Sequence, residues 1–163
     1  IFDIKIVGNQ AYIGAADGIL SIVDIELRAI KKHIKLSSKS IRVMAVATGK
    51  KHLAIGLSDH TIKILDLAND FQPIANLTGH TNSVFALNYS PNEEMLASGA
   101  RDASLKFWDS SNYTLMDSIV AHMYAINYLS FNEDGSLMVT CSMDKSMKIW
   151  DSEDRKLLKV SLH

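Results

Sequence analysis

This 163-residue chain has few of the features that usually mark a chemistry. Its single cysteine, Cys141, excludes an intrachain disulfide, and the count is compatible with a reducing compartment. Cys141 sits in an apolar strand phrase. Thiol nucleophiles are activated by a nearby base or positive charge, so a buried structural thiol is expected. The formal net charge of -1 gives no electrostatic footing for nucleic acid or an acidic membrane surface. Lys31, Lys32, Lys35 and Lys39 gather locally, as a solvated outer strand and loop would. No apolar run approaches the ~20 residues of a membrane-spanning helix. The six histidines (His33, His52, His60, His80, His122, His163) are dispersed and have no zinc-ligand spacing, so neither a metal nor a cofactor is expected. A nucleophile elbow and a Gly-rich phosphate loop are both missing. No secretory leader is recognisable, and the chain starts at Ile1 rather than Met. The expectation is that an upstream segment has been removed and that the chain is a piece of a larger protein.

A repeat is what the chain does have. A thirteen-residue phrase ends at Asp24, Asp66, Asp109 and Asp151, at intervals of 42 or 43 residues. The four copies read YIGAADGILSIVD, AIGLSDHTIKILD, ASGARDASLKFWD and VTCSMDKSMKIWD. Each carries an Asp seven residues before its end: Asp17, Asp59, Asp102 and Asp144. A period of this length means an array of one supersecondary unit, in which most recurring residues serve folding.

The unit reads as all-β. Helical periodicity is absent, and the segments are short, alternating and rich in β-branched residues. In the third copy, Val84–Tyr89 is a first strand, and Ser90-Pro91-Asn92-Glu93 carries strong turn chemistry. Met95–Ala100 is a second strand, Arg101-Asp102-Ala103 a tight turn, Ser104–Trp108 a third strand and Thr114–Val120 a fourth. Fourth strands are also expected at 29–35, 72–77 and 157–162. Apolar residues of the first strands step by three and then two, as in Ile1, Ile4, Ile6 and Ile41, Met44, Val46. An early β-bulge would restore their common facing. A four-stranded antiparallel sheet that is apolar on both faces needs a neighbour on each side. Stacking such sheets face to face around an axis gives a β-propeller.

Gly79-His80 followed by Ser98, Asp102 and Trp108-Asp109 resembles a WD40 repeat. His122, Thr140, Asp144 and Trp150-Asp151 repeat the pattern. The resemblance covers essentially the whole chain and implies four four-stranded WD40-type blades, at about 1–36, 37–78, 79–121 and 122–163. In that family the His, the hydroxyl residue, the Asp and the Trp form a hydrogen-bonded tetrad. Here those tetrads would be His80–Ser98–Asp102–Trp108 and His122–Thr140–Asp144–Trp150. The first two units keep only Asp17 and Asp59. Ser37 stands where the second unit's His would be, Ile13 and Ile55 replace the hydroxyl, and Val23 and Leu65 replace Trp. The turn is expected to survive there while the network is lost.

A Ser, a His and an Asp in one unit also invite a hydrolase triad. Both sets recur at the repeat period, however, and a tetrad consumes the bonds a nucleophile needs free. An enzyme acting at the central channel would draw on Asp3, Lys5, Arg42, Asn88 and Asn127, which form no recognisable set. The chain is therefore not expected to be an enzyme. Family members mostly bind partners through the face built by second-to-third-strand turns and first-strand entrances. The resemblance places Ser58, Arg101 and Met143 there, with Ser40, Arg42, Thr81, Asn82, Met123 and Tyr124, and Arg101, Tyr124 and Met143 as the central patch. Arg, Tyr and Met suit such contacts. The expected function is a non-catalytic scaffold for peptides or protein domains, inside the cell, in cytoplasm or nucleus. The alternative is an accessory propeller of a larger kinase, protease or ligase assembly. WD40 propellers usually have seven or eight blades, so four are expected to form a partial ring. The remaining blades would come from another chain, or a homodimer would close it.

Overall fold

The computed structural model describes residues 1–162 and is built entirely from strands and turns. His163, the last residue of the expected fourth unit, lies outside the described residues. Sixteen strands form four antiparallel sheets, each a simple meander. The first sheet is β1 (Asp3–Val7), β2 (Gln10–Gly14), β3 (Ile19–Asp24) and β4 (Ala29–Lys35). The second is β5 (Ile41–Ala47), β6 (His52–Leu57), β7 (Ile62–Asp66) and β8 (Gln72–Leu77). The third is β9 (Val84–Tyr89), β10 (Met95–Ala100), β11 (Ser104–Asp109) and β12 (Leu115–Val120). The fourth is β13 (Ile126–Phe131), β14 (Leu137–Ser142), β15 (Ser146–Asp151) and β16 (Leu157–Leu162).

The sheets stack in chain order, mainly through their first strands: β1 on β5, β5 on β9, β9 on β13. An apolar layer fills each junction. Tyr12, Leu20 and Ile22 meet Met44, Leu53 and Leu57 at the first. At the second, Ala54 and Ile64 meet Leu87, Leu96 and Trp108. Phe107 and Leu105 meet Leu129, Met138 and Trp150 at the third. No comparable packing joins the first sheet to the fourth among the described residues. Their outer faces consequently leave apolar residues in solvent, Ile4 and Ile6 on one and Tyr128 and Leu137 on the other. Cys141 lies on that outer face of the fourth sheet and is half-buried, a correction to the buried thiol expected. An alternating strand buries only the face that another sheet covers.

The bulges fall where the step of three in the apolar spacing puts them. Pairing slips by one residue at Arg42, Phe85 and Asn127, each the second residue of its first strand. Opposite these bulges the sheets approach closely at glycine. A Cβ on Gly56 would lie 2.8 Å from Val84, and one on Gly99 would lie 2.6 Å from Ile126. Gly14 meets Ile41 in the same way.

A second device links neighbours. The turn from third to fourth strand holds a left-handed residue, Phe71 (φ 63°), Tyr113 (φ 59°) or Arg155 (φ 58°), whose side chain reaches back to the preceding sheet. Phe71 meets Tyr12 edge-on at 5.9 Å. The Tyr113 hydroxyl bonds His52 Nδ1 at 2.6 Å. Arg155 lies over Phe107 at 5.5 Å. Left-handed backbone costs roughly 1 kcal/mol or more in a side-chain-bearing residue, and these contacts offset it. Glu93 adds a polar staple, accepting from the Gly49 and Lys50 amides at 2.9 Å each across the second junction.

Gly99→Ala should be costly although alanine suits most strands. Its methyl group must displace Ile126, so equilibrium denaturation should show a loss of about 1–3 kcal/mol.

Candidate functional site

The polar residues of the repeat sit at one end of the stack, where second strands turn into third strands. In the third sheet, Asp102 is placed by this turn with a hydrogen bond from the Ser104 amide at 2.9 Å. His80 Nδ1–H donates to Asp102 at 3.0 Å. The Ser98 hydroxyl donates to His80 Nε2 at 2.8 Å and accepts the Trp108 indole N–H at 2.9 Å. The fourth sheet repeats this with His122 to Asp144 at 2.9 Å, Thr140 to His122 at 2.8 Å and Trp150 to Thr140 at 2.9 Å. Ser98 and Thr140 are fully buried, so the chain of bonds satisfies polar atoms that water cannot reach.

Each network has a fifth member. Ser104 Oγ donates to Asp102 at 2.6 Å, and Ser146 Oγ to Asp144 at 2.5 Å. The recurrence was visible as D-x-S at 102–104 and 144–146, but the serines passed for ordinary strand residues.

These bonds also set charge. Burial of Asp102 opposes its ionisation. The bonds from His80, Ser104 and the Thr81 amide outweigh that penalty and hold its carboxyl well below the usual range. Asp144 is likewise held low against desolvation, by Ser146, the Met123 amide and His122. Desolvation lowers the pKa of His122 more than Asp144 raises it, so this imidazole is neutral near pH 7. Both hydroxyl–histidine–aspartate sets are closed circuits, with the Ser98 or Thr140 hydroxyl committed to His and Trp rather than presented to a substrate.

The second unit departs from expectation. Its network is shortened and not wholly lost, because Ser37 Oγ donates to Asp59 at 2.7 Å and Thr61 Oγ1 donates to the same carboxylate at 2.7 Å. Serine reaches the turn Asp from the position a histidine fills elsewhere. In the first unit the Asp17 carboxylate accepts, among the described residues, only the Ile19 amide, at 3.1 Å and in solvent.

Around the third and fourth networks opens a groove of about 590 Å³, lined by Arg42, Phe85, Arg101, Met123, Tyr124 and Met143 among others. Met123, Tyr124 and Met143 are exposed at 83%, 63% and 64%, which is high for apolar side chains. Of the residues the sequence singled out for partner contact, Arg42, Arg101, Met123, Tyr124 and Met143 converge there. Ser58, Thr81 and Asn82 do not line it. Ser58 Oγ donates to the Ser40 carbonyl at 3.3 Å, the Thr81 amide to Asp102 at 2.8 Å, and Asn82 Oδ1 accepts the Ser83 amide at 2.9 Å. Those three shape the loops.

Phe2 and Phe85 went unrecognised in the sequence. Register aligns Phe2, the residue just before β1, with Arg42, Phe85 and Asn127 in the three following first strands. They form a row in which the Arg42 guanidinium lies 4.1 Å from the Phe2 ring centroid and 4.9 Å from that of Phe85. The signal available was the residue after each first apolar anchor, which the bulge re-aims.

Of the remaining polar first-strand residues, Asp3 is tied into the stack, accepting the Met44 amide at 2.7 Å and pairing with Lys5 at 3.4 Å. Lys5 and Asn88 line a separate cleft between first strands. Among the described residues no group of three or more His, Cys, Asp or Glu has the geometry of a metal site.

Four meander sheets stacked through their first strands, two of them closed by His–Asp–hydroxyl–Trp circuits, define a run of β-propeller blades. The WD domain, G-beta repeat, matches residues 71–109 and 113–151. The chain belongs to the WD40-repeat family. It is 31% identical over 119 residues to the nuclear distribution protein PAC1 of Gibberella zeae, covering 67% of this chain and 26% of that protein. It is also 34% identical over 107 residues to the anaphase-promoting complex subunit cdh1 of Dictyostelium discoideum, covering 64% of this chain and 14% of that one. The chain thus spans about a quarter or less of the length of these relatives. Its fold superposes on a chain of the crystal structure of the mitotic checkpoint complex with a TM-score of 0.89 and 20% identity, covering 97% of this chain and 49% of the other.

Replacing Asp102 with Ala should cost about 3 kcal/mol, because His80, Ser104 and the Thr81 amide lose a buried acceptor. Asp17→Ala should cost under about 1 kcal/mol, its one partner being solvated. Equal costs in chemical denaturation would mean that the network does not stabilise the stack.

Proposed function

We propose that the chain is a non-catalytic interaction scaffold that holds a peptide or a loop of a protein partner in the groove between Arg42, Arg101, Tyr124 and Met143. The observation that carries this is the exposure of Met123, Tyr124 and Met143 around two arginines, on a face whose recurring polar residues are already committed to the fold. Aromatic, Met and Arg side chains provide contact area and adaptable packing where a partner excludes water. The family relatives support the reading in their printed names, one being a subunit of a complex. The same likeness supports reading the setting as intracellular, in cytoplasm or nucleus.

A second reading keeps the groove and makes these blades the accessory part of a larger enzyme assembly. The length of the relatives beyond the matched region favours keeping it. In either case we infer that the outer faces of the first and fourth sheets are covered in the working protein. Ile4, Ile6, Tyr128 and Leu137 make them adhesive. Further blades, or a second copy of the chain, would do so.

The double substitution Arg101→Ala/Tyr124→Ala should reduce capture of specific proteins from source-cell extract at least tenfold by quantitative mass spectrometry. The melting temperature should stay unchanged, because both side chains point into solvent. Equal capture by variant and wild type would remove this groove as the contact site.

A further inference from the structure

The groove has an uncompensated charge, and this limits what can sit in it. All four turn carboxylates on this face are hydrogen-bonded within their own loops. Asp102 and Asp144 are held by His, Ser and backbone donors, Asp59 by Ser37 and Thr61, and Asp17 by the Ile19 amide. Asp102 is the carboxylate that lines the groove, and its oxygens already accept from His80, Thr81 and Ser104. The two groove arginines are unmatched: among the described residues neither Arg42 nor Arg101 makes a salt bridge, whereas Arg155 approaches Asp117 at 3.8 Å. The chain as a whole is close to neutral, at -1, so the excess is local to this groove.

Arg42 is also pre-set for a particular ligand geometry. Phe2 comes from the sheet before it and Phe85 from the sheet after, with ring centroids at 4.1 and 4.9 Å. Both contacts place the guanidinium carbon over an aromatic ring, and the two cation–π contacts restrain the side chain. Its edge N–H donors remain, and a fixed fork of N–H groups matches the two oxygens of a carboxylate. Side-chain entropy that a free arginine would lose on binding is already lost here.

Resting on the reading of this groove as a partner site, we propose that it recognises an acidic peptide segment. An Asp or Glu carboxylate pairs with the edge of Arg42, a second acid engages Arg101, and an apolar residue between or beside them packs on Met123, Tyr124 and Met143. The apolar wall lowers the local dielectric, so each pair is stronger than an exposed ion pair. Carboxylate is the assigned source because an unmodified peptide supplies it in Asp and Glu. The in-plane donors of Arg42 would also pair with a phosphate, and the phosphoserine arm of the test separates the two.

The test is selection of random peptides displayed on phage against the immobilised chain, followed by affinity measurement on synthetic versions of the winners. Enriched peptides should be rich in Asp and Glu. Their affinity should fall about tenfold on Arg42→Gln or Arg101→Gln, consistent with loss of one charge-assisted contact. It should fall again when salt is raised from low to high, since the pairs are partly exposed. Arg42→Lys should be nearly as damaging, because it keeps the charge and loses the fork, and an unchanged melting temperature shows that each variant is folded. Neutral or basic winners that are lost on Tyr124→Ala but tolerate both arginine changes would overturn the acidic assignment and leave the groove as the partner site. Selection of nothing sensitive to Arg42, Arg101, Tyr124 or Met143 would overturn both. Tighter binding of the same peptides with phosphoserine in place of Glu would overturn the choice of carboxylate.

Discussion

The structure depends on burying sheets face to face while giving partners to the polar atoms enclosed. Among the described residues Arg155 Nε is the one buried side-chain nitrogen or oxygen without a hydrogen bond. Stacked blades have two faces to cover, so their strands are apolar on both, yet each sheet must still turn and present its end to solvent. The buried hydroxyl of Ser98 or Thr140 resolves this conflict. It stands between an imidazole and an indole and gives each the bond it requires. The imidazole is in turn fixed by the turn carboxylate, so turn, strand and blade junction are ordered by one circuit. Where the circuit is shortened, as at Ser37 and Asp59, apolar residues such as Ile55 and Leu65 fill the space and packing holds the junction.

Separating recurring residues from the rest is what makes the function readable. Residues that recur at the period, Asp102 and Asp144 above all, are engaged with their own loops and offer nothing to a partner. Residues at equivalent positions that differ between blades are the ones left facing the groove: Arg42, Phe85 and Asn127 at the bulges, and Arg101 and Met143 beside the turn Asp. The repeat supplies a scaffold on which non-identical side chains can be varied at little cost to folding. The relation to other WD40-repeat proteins extends over the fold.

Much of the fold was legible in the sequence because each unit restates it. Strand positions, the tight turns at Asp102 and Asp144 and the bulge were all marked by spacing that recurs. Three things were not legible, each for a reason of neighbourhood. Phe2 and Phe85 acquire their role from flanking Arg42 across two blade junctions, a relation between residues 40 or more apart in the chain. Phe71, Tyr113 and Arg155 share a left-handed turn position but no single residue type, so no residue pattern exposes their common reach into the preceding sheet. Cys141 reads as buried because its strand is apolar, and it is half-buried because no sheet covers that face. The convergence of Arg42 with Arg101, Tyr124 and Met143 was partly visible, since all lie at turns or strand entrances of one face, but which of the candidates share a groove depends on side-chain reach.

The central claim is that the histidine and the tryptophan of a blade act through one shared hydroxyl and not as separate packing residues. A double-mutant cycle on the fourth sheet tests it most directly, with His122→Ala, Trp150→Phe and the pair measured by equilibrium denaturation. Linked through Thr140, the two should show a coupling energy of about 0.5–3 kcal/mol. Additive losses, with no coupling outside error, would contradict the account.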